Sequence, residues 1–557
     1  MMNRETKSCK NCKAQFEITP DDLGFYEKMG VPAPVLCPDC RFRRRAVFRN
    51  EMNLYSRKCE LCGKSTVAMY HHKSPYVVYC RDCWLSDKWD PLSYGRDYDF
   101  SRPFFEQFSE LILQVPKSGI FASTDMGPNI RSDWTNFSGA NKDCYLIFNS
   151  GPRNENCAYS RGLTNSRDTF DTYYADKAER VYEGVNVQNS NGVCQAENSP
   201  DCIDSWFLLN CVGCRNCFGC VNLRHKSYHF FNEPLNKEEW NRRVEDILGS
   251  YQKTEEMRKK FDEFSLKFPH RENSNLRSVR VVGDYIFESK NCFNCFEASF
   301  CEDSKNLFSI KNVKDSYDLI GHGRESELLL EGVAVGTSSR VIGSWWCINT
   351  HDVEYSIALQ GGEYCFGCDG LRKAKYAVLN KQYSEEEYKK IRGHIVSELK
   401  TKNLYGLFMP PQLAFFAYNE TIAQDNMPLT KEEALKQGFR WQDDLQMTTG
   451  KETLKSEQIP DHIKDVTDNI LKETLACVSC GRNYRIIKPE LDFYRKMLIP
   501  VPRKCFYCRH ADRLRRRGPF KLYSRTCAKC SKPIQTTYAP ERPEIVYCEE
   551  CYQREVV

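Results

Sequence analysis

Residues 8–46 read SCKNCKAQFEITPDDLGFYEKMGVPAPVLCPDCRFRRRA, and residues 476–514 read ACVSCGRNYRIIKPELDFYRKMLIPVPRKCFYCRHADRL. Laid on one another, Cys9, Cys12, Cys37 and Cys40 fall on Cys477, Cys480, Cys505 and Cys508, a constant shift of 468 residues. The shift holds further on, where Cys59, Cys62, Cys80 and Cys83 meet Cys527, Cys530, Cys548 and Cys551. Gaps of 24, 18 and 17 residues separate the pairs in both copies. Leu23, Phe25, Tyr26, Lys28 and Met29 likewise meet Leu491, Phe493, Tyr494, Lys496 and Met497, and Leu54-Tyr55-Ser56-Arg57 meets Leu522-Tyr523-Ser524-Arg525. The two ends are one module used twice.

The spacing has a chemical reason. A Cys-x-x-Cys turn sets two sulfurs on one side of a knuckle, and a second knuckle completes a tetrahedron around Zn²⁺ at about 2.3 Å. Four pairs per module make two sites, so sixteen cysteines make four. A shell of four thiolates leaves no open position, which points to structural rather than catalytic zinc. We read the pairs as consecutive, Cys9/Cys12 with Cys37/Cys40 and Cys59/Cys62 with Cys80/Cys83; a cross-braced arrangement, first pair with third, also satisfies the spacing. His71-His72 lies between two pairs, but Ala539-Pro540 stands there in the second copy, so we expect surface histidines rather than ligands.

The stretch Ser8-Cys9-Lys10-Asn11-Cys12, Phe16, Thr19, Phe25-Tyr26-Glu27-Lys28 and Cys37-Pro38-Asp39-Cys40-Arg41 resembles the bacterial "probable zinc-ribbon" domain. That domain occurs with only its own four cysteines, so the resemblance implies consecutive pairing. The chain as a whole resembles large zinc-ribbon proteins of candidate-phyla bacteria. The segments Ser86-Asp87-Lys88-Trp89-Asp90-Pro91, Cys217-Phe218-Gly219-Cys220, Asn380-Lys381-Gln382-Tyr383-Ser384 and Leu429-Thr430-Lys431-Glu432-Glu433-Ala434 carry that likeness, which implies a fold and metal ligands but no particular activity.

The 557 residues suffice for several domains. No run of about 18 apolar residues exists, so no membrane span is expected. Residues before Cys9 lack the apolar core of a signal peptide, and 30 cysteines without export favour metal over disulfides; we expect a cytoplasmic protein. The net charge of +5 is uneven: residues 1–90 carry +5 and 471–557 carry +10, leaving −10 between them. Basic ends suggest an anionic partner, although each four-thiolate zinc site subtracts two charges.

The middle repeats too. Asn216-Cys217-Phe218-Gly219-Cys220 meets Tyr364-Cys365-Phe366-Gly367-Cys368 at a shift of 148. Within each half, phrases such as Lys142-Asp143-Cys144-Tyr145, Glu155-Asn156-Cys157 and Arg167-Asp168-Thr169-Phe170 recur every 11–13 residues. Short β-prone runs at a regular step predict a parallel β-solenoid, with two steps making a coil of about 22–25 residues. Cys211, Cys214, Cys217 and Cys220, every third residue, read as compact apolar filler inside the coils, with a fifth metal site as the alternative. Asn236 and Ser384 stand three before a glutamate and should cap helices, the first running to about Phe268.

The expected fold class is mainly β with helices, and the organisation is modular. A double zinc-ribbon module covers 1–95, a linking helix 96–119 packs it onto the neighbouring β region, and solenoid-like halves with their helices cover 120–270 and 271–400. A linker with short helices spans 401–470 and the second zinc module 471–557. Arg41, Arg43, Arg44, Arg45 and Arg49, with Phe42 and Phe48 nearby, recur as Arg509, Arg513, Arg515, Arg516 and Arg517. Arginines on a rigid knuckle suit phosphate contact and base stacking. The expectation is therefore a non-enzymatic scaffold that binds nucleic acid, RNA or the ribosome, through these clusters. Its alternatives are a protein-interaction scaffold and a solenoid enzyme acting on polysaccharide. No nucleophile elbow, phosphate loop or His-Glu-x-x-His helix is present, so no catalytic or cofactor-binding residue is assigned.

Overall fold

Both β-rich regions are built from a three-residue unit. Along the first, Asp143, Leu146, Asn149, Arg153, Asn156 and Tyr159 lie at φ between 48° and 60°, and the pattern continues through Asn165, Asp168, Asp171 and Gly192. The left-handed region costs most side chains about 1–2 kcal/mol but is open to Gly, Asn and Asp, which explains their frequency here. The residue after each points inward: Cys144, Ile147, Cys157, Leu163, Ala175 and Val181 form one buried column. After four such units the chain runs parallel to itself twelve residues earlier, as in Val193 with Ser205, Trp206 with Phe218 and Cys217 with His229. The sequence step of 11–13 residues is thus itself the repeat. The coil expected from two steps is twice too long, because positive φ at every third residue curls the backbone within a single step.

The computed structural model describes residues 4–121, 127–445 and 447–556. They divide into two units, Met1–Ala122 with Ser274–Asp443, and Ser123–Asn273 with Asp444–Val557. The first unit holds the N-terminal cysteine module and the second β region, and the other holds the first β region and the C-terminal module. The expected domains were contiguous; the observed partnership crosses over.

In the first unit, the parallel sheet climbs from Val279–Phe287 to Arg372–Val378 and closes with the antiparallel strand Lys381–Gln382. Its column of Leu307, Ile310, Leu319, Leu329, Val341 and Val353 is interrupted by serines. The serine hydroxyls accept an N–H eleven to thirteen residues on and donate to the carbonyl two residues back: Ser356 accepts from Cys368 (3.1 Å) and donates to Glu354 (3.0 Å). We expect Ser356→Ala to cost about 1–3 kcal/mol in a denaturant titration, since it orphans a buried N–H while removing hardly any volume. Ser384 and Glu387 form the capping box of Glu385–Thr401, as expected. The linking helix, Phe104–Gln114, packs on this second region rather than on the first, its neighbour in sequence: the Phe104 ring meets Phe366 at 5.0 Å and its N–H meets Glu398 at 3.1 Å. Residues after Thr401 are no loose linker, for Tyr405, Phe408, Phe415 and Tyr418 are buried.

In the second unit the parallel sheet ends in Ser227–Phe230, turned back by Glu233–Pro234. Asn236 caps Lys237–Ile247, as expected. The helix does not run on to Phe268. Gly249 at φ +89 breaks it, its carbonyl taken by the Ile463 N–H at 2.9 Å, and a second helix covers Tyr251–Ser265. Both helices cover an apolar face formed by Phe207 and Phe218, the first through Trp240, Val244 and Ile247 and the second through Phe261. Among the described residues, no helix is long and apolar enough to cross a membrane.

Candidate metal centres and how they are docked

The first knuckle of each site grows from a short hairpin. Glu5–Ser8 with Gln15–Ile18 carries Cys9 and Cys12, and Tyr523–Thr526 with Pro533–Thr536 carries Cys527 and Cys530. Four residues after the first cysteine the chain turns left-handed: Lys13 (φ 64), Gly63 (φ 73), Gly481 (φ 71) and Ser531 (φ 60). Their N–H groups close onto the carbonyls of Cys9, Cys59, Cys477 and Cys527 at 2.8–3.0 Å. A Cβ at Gly481 would meet nothing within 4 Å. Gly481→Ala should therefore cost about 1–2 kcal/mol through backbone strain alone, visible as a lower Tm. The second pair of each site starts a helix: Cys37 precedes Pro38–Ala46, Cys80 precedes Arg81–Leu85 and Cys505 precedes Phe506–Arg517. A helix N-terminus favours a thiolate.

The sulfurs converge in four groups, Cys9/Cys12/Cys37/Cys40, Cys59/Cys62/Cys80/Cys83, Cys477/Cys480/Cys505/Cys508 and Cys527/Cys530/Cys548/Cys551, each within 4.8 Å. The pairing is consecutive. A tetrahedron with metal–sulfur bonds of about 2.3 Å has edges of about 3.8 Å. Cys12 and Cys37 sulfurs lie 3.6 Å apart, and Cys480–Cys505 and Cys530–Cys548 lie 3.8 Å apart, so the donor set fits a tetrahedral metal ion. Backbone amides prepare the first thiolate of each site, while burial and neighbouring sulfurs push Cys83, Cys505 and Cys551 up. Burial alone would raise Cys9, but the N–H groups of Cys37, Cys12 and Asn11 outweigh it and bring the thiol down to about 6. The same balance brings Cys59 and Cys527 to about 6 and Cys477 to about 7.

The arginine clusters do not face solvent, as their composition suggested they would. Arg41, Arg45, Arg49, Arg509, Arg513 and Arg517 are all buried, which takes six of the ten arginines out of reach of a phosphate backbone. In the first unit Arg41 meets Asp318 (2.9 Å) and Glu331 (3.4 Å), and Arg45 meets the same two acids at 3.2 and 2.5 Å. In the second, Arg509 and Arg513 share Asp171 (2.9 and 3.0 Å), and Arg513 also reaches Glu183 at 3.5 Å. These are equivalent residues of both duplications, so one docking surface is used twice. The rings repeat as well: Phe25 stacks on Tyr317 at 3.9 Å, Phe493 on Phe170 at 4.4 Å. Burial opposes the charge on Arg41 and Arg509, but neighbouring Asp318 and Asp171 outweigh it and hold both guanidiniums more firmly protonated than usual.

The remaining candidates divide. Arg43, Arg44 and Arg516 are half-buried, Arg44 donating to the Phe408 carbonyl (2.6 Å) and Arg516 to that of Glu183 (3.0 Å), while Arg515 is exposed. Phe42 and Phe48 are not stacking platforms; they pack against Phe308 (4.3 Å) and Phe408 (4.9 Å). His72 is exposed as expected, but His71 is buried edge-on to Tyr55 at 4.9 Å. Asp171, Glu183, Asp318 and Glu331 were missed. Their signal was available: three of the four, Asp171, Glu183 and Asp318, stand just after an aromatic residue, and the two pairs lie at corresponding places in the two halves, facing arginines spaced i, i+4.

A cavity of about 660 Å³ in the second unit is walled by Trp206, Phe261, Arg258, Arg516 and several acids. Glu183, Glu255, Asp512 and Glu544 are each held in an ion pair with arginine.

No family model and no curated protein matches the chain. Among solved structures, one described as a candidate acetyltransferase from Desulfovibrio desulfuricans G20 aligns with 48% of this chain and 70% of its own, at 10% identity and a TM-score of 0.10. A likeness so faint carries no argument about fold or activity.

Proposed function

We propose that this protein is a non-catalytic, cytoplasmic scaffold. Two β-solenoids of twelve-residue coils each carry a zinc-stabilised module locked on by buried arginine–carboxylate pairs, and protein partners rather than nucleic acid are its ligands. The doubled clamp, Arg41/Arg45 on Asp318/Glu331 and Arg509/Arg513 on Asp171/Glu183, carries this reading. It gives the basic clusters an internal purpose and leaves RNA contact without its main groups. Zinc is the metal that best suits four thiolates in a closed shell, and a reducing compartment keeps those thiols free for it. Four of the seven acids that line the cavity, Glu183, Glu255, Asp512 and Glu544, are tied to arginine, which speaks against their serving as a carboxylate pair for glycoside hydrolysis. Titrating purified protein with single-stranded and structured RNA at rising salt tests the choice. The scaffold reading expects weak binding that survives Arg43→Ala and Arg44→Ala unchanged. Tight binding with a steep salt slope, lost in those variants, would restore nucleic acid as the partner.

A further inference from the structure

The clamp acids of the two units stand on matching ladders of left-handed corners, each twelve or thirteen residues after the last. In the second unit the ladder runs Asp171, Glu183, Gln195, Phe207; in the first it runs Asp318, Glu331, Gly343, Tyr355. The third rung differs. In the first unit the Tyr355 ring lies over Gly343, where a Cβ would come within 2.7 Å of it. The Tyr355 hydroxyl donates to the Leu404 carbonyl (3.3 Å) and accepts the Gly406 N–H (2.9 Å), so that place is filled. In the second unit the same rung lines the cavity of about 660 Å³. Gln195 is 7% exposed, and among the described residues its side-chain amide makes no hydrogen bond. We infer that this cavity binds an uncharged heteroaromatic ring of the nucleobase kind, with Gln195 pairing to its amide or amidine edge.

The walls set the class of ligand. Seven basic and seven acidic side chains surround the cavity, so it offers no net charge to an anion. Glu183 alone holds Arg516 at 3.1 Å and Arg258 at 3.9 Å. A neutral guest follows. Trp206 is half-buried on the cavity wall and stacks on no other ring among the described residues, while Phe207 and Phe261 meet at 5.8 Å. An indole without a ring partner suits a flat heteroaromatic molecule, the contact by which aromatic side chains hold single bases. The glutamine amide offers an acceptor and two donors in one plane, the pattern that pairs bidentately with a base edge. Buried without partners that amide is costly, and a matching edge satisfies it. The volume falls in the range of small-molecule sites. The helix Tyr251–Ser265 roofs the cavity with Tyr251, Thr254, Arg258, Phe261 and Ser265 along one face, and none of its residues is buried. A small-molecule site of this kind does not depend on which macromolecule the scaffold binds.

Isothermal titration of the zinc-loaded full chain with adenosine, guanosine, cytidine and uridine tests the inference. At least one nucleoside should bind with one equivalent per chain, and its monophosphate should bind no more tightly. Gln195→Met should weaken that binding by about tenfold or more, as should Trp206→Leu. Gln195 holds no other side chain in place, so Gln195→Met should keep the wild-type Tm and metal content, which a structural glutamine would not. Hydrogen exchange of the unmutated chain with the bound nucleoside, independent of any variant, should show added protection at residues 194–207 and 251–265. Failure of all four nucleosides to bind at millimolar concentration would overturn the inference. So would a preference for the monophosphate, affinity unchanged in Gln195→Met, or protection confined to other residues.

Discussion

Arg45→Met should destabilise the protein by about 3–5 kcal/mol in urea, because it leaves Asp318 and Glu331 buried beside one remaining guanidinium. Arg45 is wholly buried, and both acids are 1% exposed, so water cannot take over its role. The prediction has a sharper companion. Replacing the whole set, Arg41→Met, Arg45→Met, Asp318→Leu and Glu331→Leu, should cost far less than the single change, since no orphaned charge remains. Arg513→Met should act likewise on Asp171 and Glu183 in the second unit. A single-variant cost below about 1 kcal/mol would mean that these pairs are solvated and clamp nothing.

The second large effect arises from the metal. Hairpins of four residues and helices of five to twelve residues cannot hold a shape by themselves, and the cluster inside the last site consists of Ile534 and Val546 with three of its own cysteines. Metal binding is then folding free energy, on the order of 10 kcal/mol per site. Cys480→Ala should lower the bound metal from four equivalents to three and unfold residues around 475–517, with the Cys527–Cys551 site keeping its ion. Elemental analysis checks the first and limited proteolysis the second. Loss of two equivalents from this one change would show that the sites are not independent.

The cysteine sites were legible because tetrahedral ligation imposes a spacing that survives in sequence, and a shift of 468 repeats it without a gap. The parallel β architecture was half legible. Its step was visible, but the step was doubled into a longer coil because ordinary strands do not turn within twelve residues. The cue was the run of Asn, Asp and Gly at every third place, such as Asn156, Asn165, Asp168 and Asp171, which supplies the left-handed corners. The arginines were misplaced for a different reason: a cluster of like charge looks solvated until its counter-charges are known, and these lie hundreds of residues away. Arg41 finds Asp318 and Arg509 finds Asp171 only after the chain has crossed between modules. Sequence distance hid the partnership.

Hydrogen exchange on the metal-stripped and metal-loaded chain tests the central claim most directly. Stripping should abolish protection in residues 4–85 and 475–556 and raise exchange at 170–183 and 317–331, where the modules rest, while coils 203–221 and 360–378 stay protected. Modules that remain protected without metal, or coils that melt throughout, would contradict it.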